Sequence, residues 1–396
     1  MGLCLLGIVL ALSGCFSPMS DGGGIEETFL SINFGNGNID RVAVSSGEIP
    51  TLSYEVILDG PGGKRTETIS GSSATFQVIP GNYRVVVRAT GNRPVAFLPA
   101  AEFPDRMLRG WGSATANVQP GRTNCVSVLM TTATEVINWA QFWEVLERMD
   151  DDAEEIIVIK GEIAPESSTS HSFNKKVILI AEETGTINLG AASLGTLLTL
   201  PYGRITLGKE GMGGTLYIDG LEQSATQALI RISVGSELIM NDGVFLQNRN
   251  HTNWGMPGGA VSIESGGTFT MNGGTIRNNT TVGSGGGVNV ADGGTFTMNG
   301  GTIRNNAADN NNGGGVNVDG AFFMNDGSIS GNTSGNAGAG VCVSYGKTFR
   351  KTGGIIYGND AAENLQNKSD AFGHALWIPG DSISINETLG GPYTYP

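Results

Sequence analysis

Residues 267–279 read GTFTMNGGTIRNN, and residues 294–306 repeat the same letters without a change. Phe269 and Phe296 mark the same place in the two copies, 27 residues apart. The phrase then drifts while keeping its frame: Phe322 opens FFMNDGSISGN, Phe349 opens FRKTGGIIYGN, and upstream Leu238 opens LIMNDGVFLQN. Self-similarity at a fixed period of this length is the signature of a stacked-repeat architecture.

Aligned on Leu238, Phe269, Phe296, Phe322 and Phe349, the copies carry Met240, Met271, Met298, Met324 and Lys351 two residues later. Apolar residues two apart predict a strand with one buried face. A glycine follows at offset five in every copy, and Asn-Gly-Gly or Asn-Asp-Gly is turn chemistry. Offset seven holds Phe245, Ile276, Ile303, Ile329 and Ile356, and offset ten holds Asn248, Asn279, Asn306, Asn332 and Asn359. A further strand belongs to the period: GGGVNV at 285–290 recurs at 313–318, with looser copies from Gly258, Gly338 and Gly373. Its middle residues, Ser262, Asn289, Asn317, Cys342 and Trp377, are expected to point outward. Each period therefore holds about three short strands. One coil cannot bury its apolar face alone, whereas stacked coils bury a continuous column, and equivalent asparagines can bond along the stack.

These phrases resemble the repeats of the polymorphic outer-membrane protein family and of bacterial surface lipoproteins, within the pectin-lyase-like superfamily at large. The resemblance covers roughly 153–396 and implies a right-handed parallel β-helix; it specifies fold far better than activity.

Glycine numbers 62 of 396 residues, charged residues make up 15%, and net charge is −14. Sparse, scattered Lys and Arg give no basic patch and argue against a nucleic-acid partner. Residues 1–15, MGLCLLGIVLALSGC, hold an apolar run suited to a signal peptide. Its end, Leu12-Ser13-Gly14-Cys15, resembles a lipobox, which implies lipidation at Cys15 and attachment to a membrane through that lipid. No Lys or Arg precedes the run, a departure from the usual pattern. Residues 16–24 read as a flexible tether. Cys4 leaves with the signal, Cys125 and Cys342 fall in different predicted domains, and a disulfide framework is not expected. No Cys/His metal spacing is present, His171, His251 and His374 are far apart, and no cofactor is implied.

Residues 25–131 carry no repeat. Their apolar runs, separated by Gly/Pro/Asn turns, predict a β-sandwich, with a weak likeness to Ig-like or prealbumin-like modules. Within 132–152, NWAQFWEVLERM from Asn138 predicts a helix. Asn138 and Gln141 make a capping box, and Trp139, Phe142, Trp143 and Leu146 make one apolar stripe. That helix stands where a plug for the first coil is needed. The fold class is all-β: an N-terminal sandwich followed by a helix-capped parallel β-helix at 153–396.

No Ser/His/Asp order, P-loop or zincin motif appears. Asp242 and Asp326 sit inside turns, where turn duty explains them. Arg277 and Arg304 occupy one offset in adjacent coils, in a row continued by Leu246, Ser330 and Tyr357. The connections after Asn248 and Asn359 are longest and hold His251, Trp254 and Phe372; insertions on one edge of a solenoid often build a binding face. The candidate binding edge is therefore His251, Trp254, Arg277, Arg304, Tyr357 and Phe372. The arrangement implies a lipid-anchored, surface-exposed protein of the cell envelope, at the outer membrane, that contacts a glycan or a surface protein. A polysaccharide lyase or hydrolase of the β-helix superfamily and a purely structural envelope role are the alternatives.

Overall fold

The computed structural model describes residues 27–35, 52–92, 106–149, 153–165, 174–188, 196–200, 202–222, 224–252, 258–358 and 361–378. The signal segment, Cys15 and the tether lie outside them, as do Trp254 and Asn359. Among the described residues, no helix is long and apolar enough to cross a membrane.

One period is drawn by Thr268–Met271, Thr275–Arg277, Thr280–Thr281 and Val288–Val290. Each strand pairs in parallel with its equivalent one coil on, with Phe269 opposite Phe296, Ile276 opposite Ile303 and Val288 opposite Val316. Four sheets thus run along the column, here named I to IV in the order the chain visits them. The sequence predicts three strands per period. The extra one, sheet III, is two residues long in each coil, too short for any alternation to reveal it.

The interior follows the repeated letters. Phe269, Phe296 and Phe322 stack ring on ring with centroids 4.9 and 4.7 Å apart. Met240, Met271, Met298 and Met324 form the next buried row, and Ile276, Ile303 and Ile329 the next. Each such side chain contributes roughly 1.5–3 kcal/mol by leaving water. Lys351 ends the methionine row and is itself buried.

Two expectations need correction. In the coil from Leu238, Leu246 and not Phe245 stands opposite Ile276, because the turn after Met240 is one residue longer. Phe245 faces outward, and the arginine row runs from Gln247, not Leu246, to Arg277 and Arg304. The same shift makes Asn248 (φ 60°) the counterpart of Asn278 and Asn305 (φ 55° and 54°), so Arg249 takes the corner position of Asn279. The corner ladder is real but has other members at its ends. The Asn279 side-chain amide donates to Asn306 Oδ1 (2.9 Å), Asn306 to Asn332 (3.0 Å) and Asn332 to Asn367 (2.8 Å). Asn367 continues it; Asn359 lies outside the described residues.

The middle residues of sheet IV point outward as expected, yet Asn289, Asn317 and Cys342 are buried. The glycine loop before each strand folds back over it. A Cβ at Gly285 would stand 2.8 Å from the Asn289 Cα, and one at Gly313 2.7 Å from the Asn317 Cα. The repeated triple glycine is what lets this loop lie flat. Burial pushes the free Cys342 thiol up to about 12.

The helix Trp139–Arg148 begins as predicted: Asn138 Oδ1 accepts from the Gln141 amide (2.9 Å), and Gln141 Oε1 accepts from the Ile137 amide (2.9 Å). Trp139, Phe142, Val145 and Leu146 join the same apolar cluster as the column, so the aromatic stripe is core and the helix plugs the first coil.

The N-terminal part forms two sheets around its own core of Leu30, Ile32, Phe34, Val56, Leu58, Val85 and Val87. One sheet is three-stranded, built from Phe29–Gly35, Ser73–Gln77 and Thr123–Leu129. The other continues without a break into sheet I. Arg106–Val118 pairs with Thr131–Val136, which pairs in parallel with Glu154–Ile159. On the outer face of this junction Val86, Leu108 and Trp111 pack on Ile156, Val158, Ile178 and Ile180. Trp111 Nε1 donates to Glu182 Oε1 (3.1 Å), and Arg88 pairs with Glu55, Glu135 and Glu182. Cys125 lies on the strand Thr123–Leu129.

Candidate binding face

Sheet II alternates strictly. Ile218, Leu246, Ile276, Ile303 and Ile329 point into the column, so their neighbours point out. Two outward rows result. One runs Thr186, Tyr217, Phe245, Thr275, Thr302, Ser328 and Ile355. The other runs Asn188, Asp219, Gln247, Arg277, Arg304 and Ser330, with Tyr357 following the last strand.

The second row is wired from one end. Asp219 accepts from Gln247 Nε2 (2.6 Å), from Asn248 Nδ2 and from the Leu221 amide (2.8 Å). Gln247 then presents Oε1 to Arg277 Nε at 2.8 Å. The Arg277 guanidinium also lies over the Phe245 ring, 4.6 Å from its centroid, and Phe245 stacks on Tyr217 at 5.1 Å. A guanidinium held by an acceptor and an aromatic face has lost most of its freedom before any partner arrives. Arg304, one coil on, makes no hydrogen bond or ion pair among the described residues. By contrast Arg204 and Arg231, facing out of sheets I and IV, pair with Glu154 and Glu264. From Phe245 to Tyr357 neither outward row of sheet II contains a carboxylate, in a chain of net charge −14. In the adjoining turns Asp242 accepts from the Gly274 amide and Asp326 from the Gly327 amide.

The predicted edge divides. Arg277, Arg304 and Tyr357 share one row of sheet II. Phe372 is exposed (56%) but sits in the connection between sheets III and IV, bridged to Ala337. His251 is not on an edge at all: it points inward from sheet III, wholly buried, with Nδ1 2.9 Å from Thr281 Oγ1. Burial, with the neighbouring Arg249, lowers its pKa. Arg249 is also buried, is lowered by desolvation to about 9, and donates through Nε to the Gln227 carbonyl (2.7 Å). Trp254 lies outside the described residues.

Sequence reasoning missed Tyr217, Phe245, Gln247 and Asp219. The signal existed: Val244 and Leu246 are two apart, and reading them as the buried pair turns Phe245 outward. No residue set of the metal-binding kind occurs among the described residues. No family model, curated protein or solved structure matches the chain.

Proposed function

We propose that this is a lipid-anchored protein of the cell envelope whose β-helix is a rigid display column, and that sheet II carries the contact face. The observation that carries the reading is the pair of in-register arginines on the stretch of sheet II from Phe245 to Tyr357, whose outward rows hold no carboxylate. Structural repeats give the column stiffness, and a contact face built on strands is positioned more firmly than one built on loops. Anchoring at Cys15, outer-membrane placement and kinship with the polymorphic outer-membrane protein repeats rest on the sequence resemblance. The same face offers little to a hydrolase. Hydrolysis of a glycosidic bond needs a carboxylate free to act as acid, base or nucleophile; from Phe245 to Tyr357 the outward rows hold none, and Asp219 is occupied by three donor groups.

The test uses bulky labels. A large maleimide conjugate on Thr302→Cys should abolish attachment of displaying cells to their target surface, while the same conjugate on Thr295→Cys, on sheet I, should leave it intact. The reverse pattern would move the contact face. For the anchor, Cys15→Ser should release the chain from the membrane fraction. Lipidation consumes the Cys15 thiol, so non-reducing peptide mapping that found Cys15 joined to Cys125 would remove the anchor from this reading.

A further inference from the structure

The chemistry of the partner can be read one step further, taking the sheet II face as the contact surface. At one end of the face the Tyr217 and Phe245 rings stack upon each other, and the Arg277 guanidinium lies over Phe245. These contacts take up ring faces that a stacking sugar would need. In the middle stand Arg277 and Arg304 on adjacent coils, roughly 4.8 Å apart along the column. At the other end are the exposed Ile355 (46%) and half-buried Tyr357. Aromatic, aliphatic and arginine side chains around a charge-complementary centre are the composition of a protein–protein contact. A densely sulfated polymer would instead require cations on successive coils, and here the row turns from Arg304 to Ser330 and Tyr357.

We propose that Arg277 and Arg304 dock a pair of carboxylates presented by an acidic polypeptide segment of a partner protein. Two same-face carboxylates on an extended segment lie about 6.8 Å apart. On a helix, carboxylates four residues apart are separated by about 6 Å along its axis. Either spacing is within reach of two guanidiniums one coil apart. Arg277 is fixed in advance by Gln247 and Phe245, whereas Arg304 adapts. The elsewhere acidic chain suppresses docking of acidic segments at other faces.

The probe is a biotinylated Glu-Ser-Glu-Thr-Glu peptide, with its all-Gln counterpart, dextran sulfate and neutral dextran as the other arms. Each is measured against the purified full chain at low salt and at about 0.5 M salt. Binding of the Glu peptide is expected, with Arg304→Ala weakening it about tenfold and Arg277→Glu/Arg304→Glu abolishing it. Arg277→Lys/Arg304→Lys should retain part of it, and the unfolding midpoint of Arg304→Ala should be unchanged. Equal binding of the Gln peptide, or binding that survives the double charge reversal, overturns the proposal. Arginine-dependent binding of dextran sulfate alone also overturns it, in favour of a sulfated glycan. If the Thr302 label blocks cell attachment while the double charge reversal does not, the face stands and the carboxylate assignment falls.

Discussion

Between Thr295 and Ala308 the column buries Phe296, Met298 and Ile303 and closes its corner with Asn306. Between Ser236 and His251 it buries Leu238, Met240 and Leu246, and puts Arg249 at that corner with His251 just beyond. The backbone path is nearly the same in both coils, but the corner chemistry is not. A small amide can hand one hydrogen bond to the coil above and take one from the coil below, so asparagine repeats indefinitely. A guanidinium cannot accept, so Arg249 ends the ladder: its backbone amide donates to Asn279 Oδ1 (3.1 Å), and its side chain turns to the Gln227 carbonyl. The apolar rows thus tolerate any side chain of suitable size, while the polar corner admits one residue type or stops.

The largest blow to the regular coil should come from its apolar row. Ile303→Asp places an unpaired carboxylate between Ile276 and Ile329, and a loss of about 3 kcal/mol or more is expected in denaturant unfolding. The corner comes next. Asn306→Ala strips the Asn279 amide and side chain of their acceptor and leaves the Ile276 and Asn332 oxygens short of a donor, all in the interior. About 2–3 kcal/mol should be lost. The second asparagine ladder, on the turns between sheets I and II, supplies the control. Asn299 bonds to Asn272 (2.9 Å) and Asn325 (2.8 Å) in the open, so Asn299→Ala should change stability by about 0.5 kcal/mol or less. Equal losses at Asn306 and Asn299 would break the distinction between an interior and a surface ladder.

The irregular coil should betray itself through pH. Burial lowers the folded pKa of His251 below its unfolded value. Below about pH 6.5 the unfolded chain binds a proton that the folded chain resists, so stability falls as pH drops from there through the folded pKa. His251→Gln should flatten that acid slope, measured by unfolding midpoints between about pH 7 and 5. A slope unchanged by the substitution would mean that carboxylates elsewhere carry it. Smallest of all, Arg304→Ala should shift the unfolding free energy by less than about 0.5 kcal/mol, because its side chain makes no hydrogen bond or ion pair among the described residues. A larger loss would make Arg304 part of the column rather than of its contact face.

The repeated Phe, Met and Ile letters determined the column and its inward rows, and the Asn138–Gln141 box with its apolar stripe determined the plugging helix. They do so because apolar spacing along a strand is a local property that no distant residue can reverse. Arg277 and Arg304 were legible as neighbours for the same reason: a fixed period puts equal offsets on adjacent coils. Tertiary structure alone decided what stands beside them. One additional turn residue before Val244 moves Phe245 outward and Arg249 inward, and register is a choice between pairings that differ only in which face is buried. The chain also could not announce that its glycine loops cover Asn289 and Asn317, or that the N-terminal sheet runs on into sheet I. Those contacts join residues remote in sequence, and only the closed, packed fold brings them together.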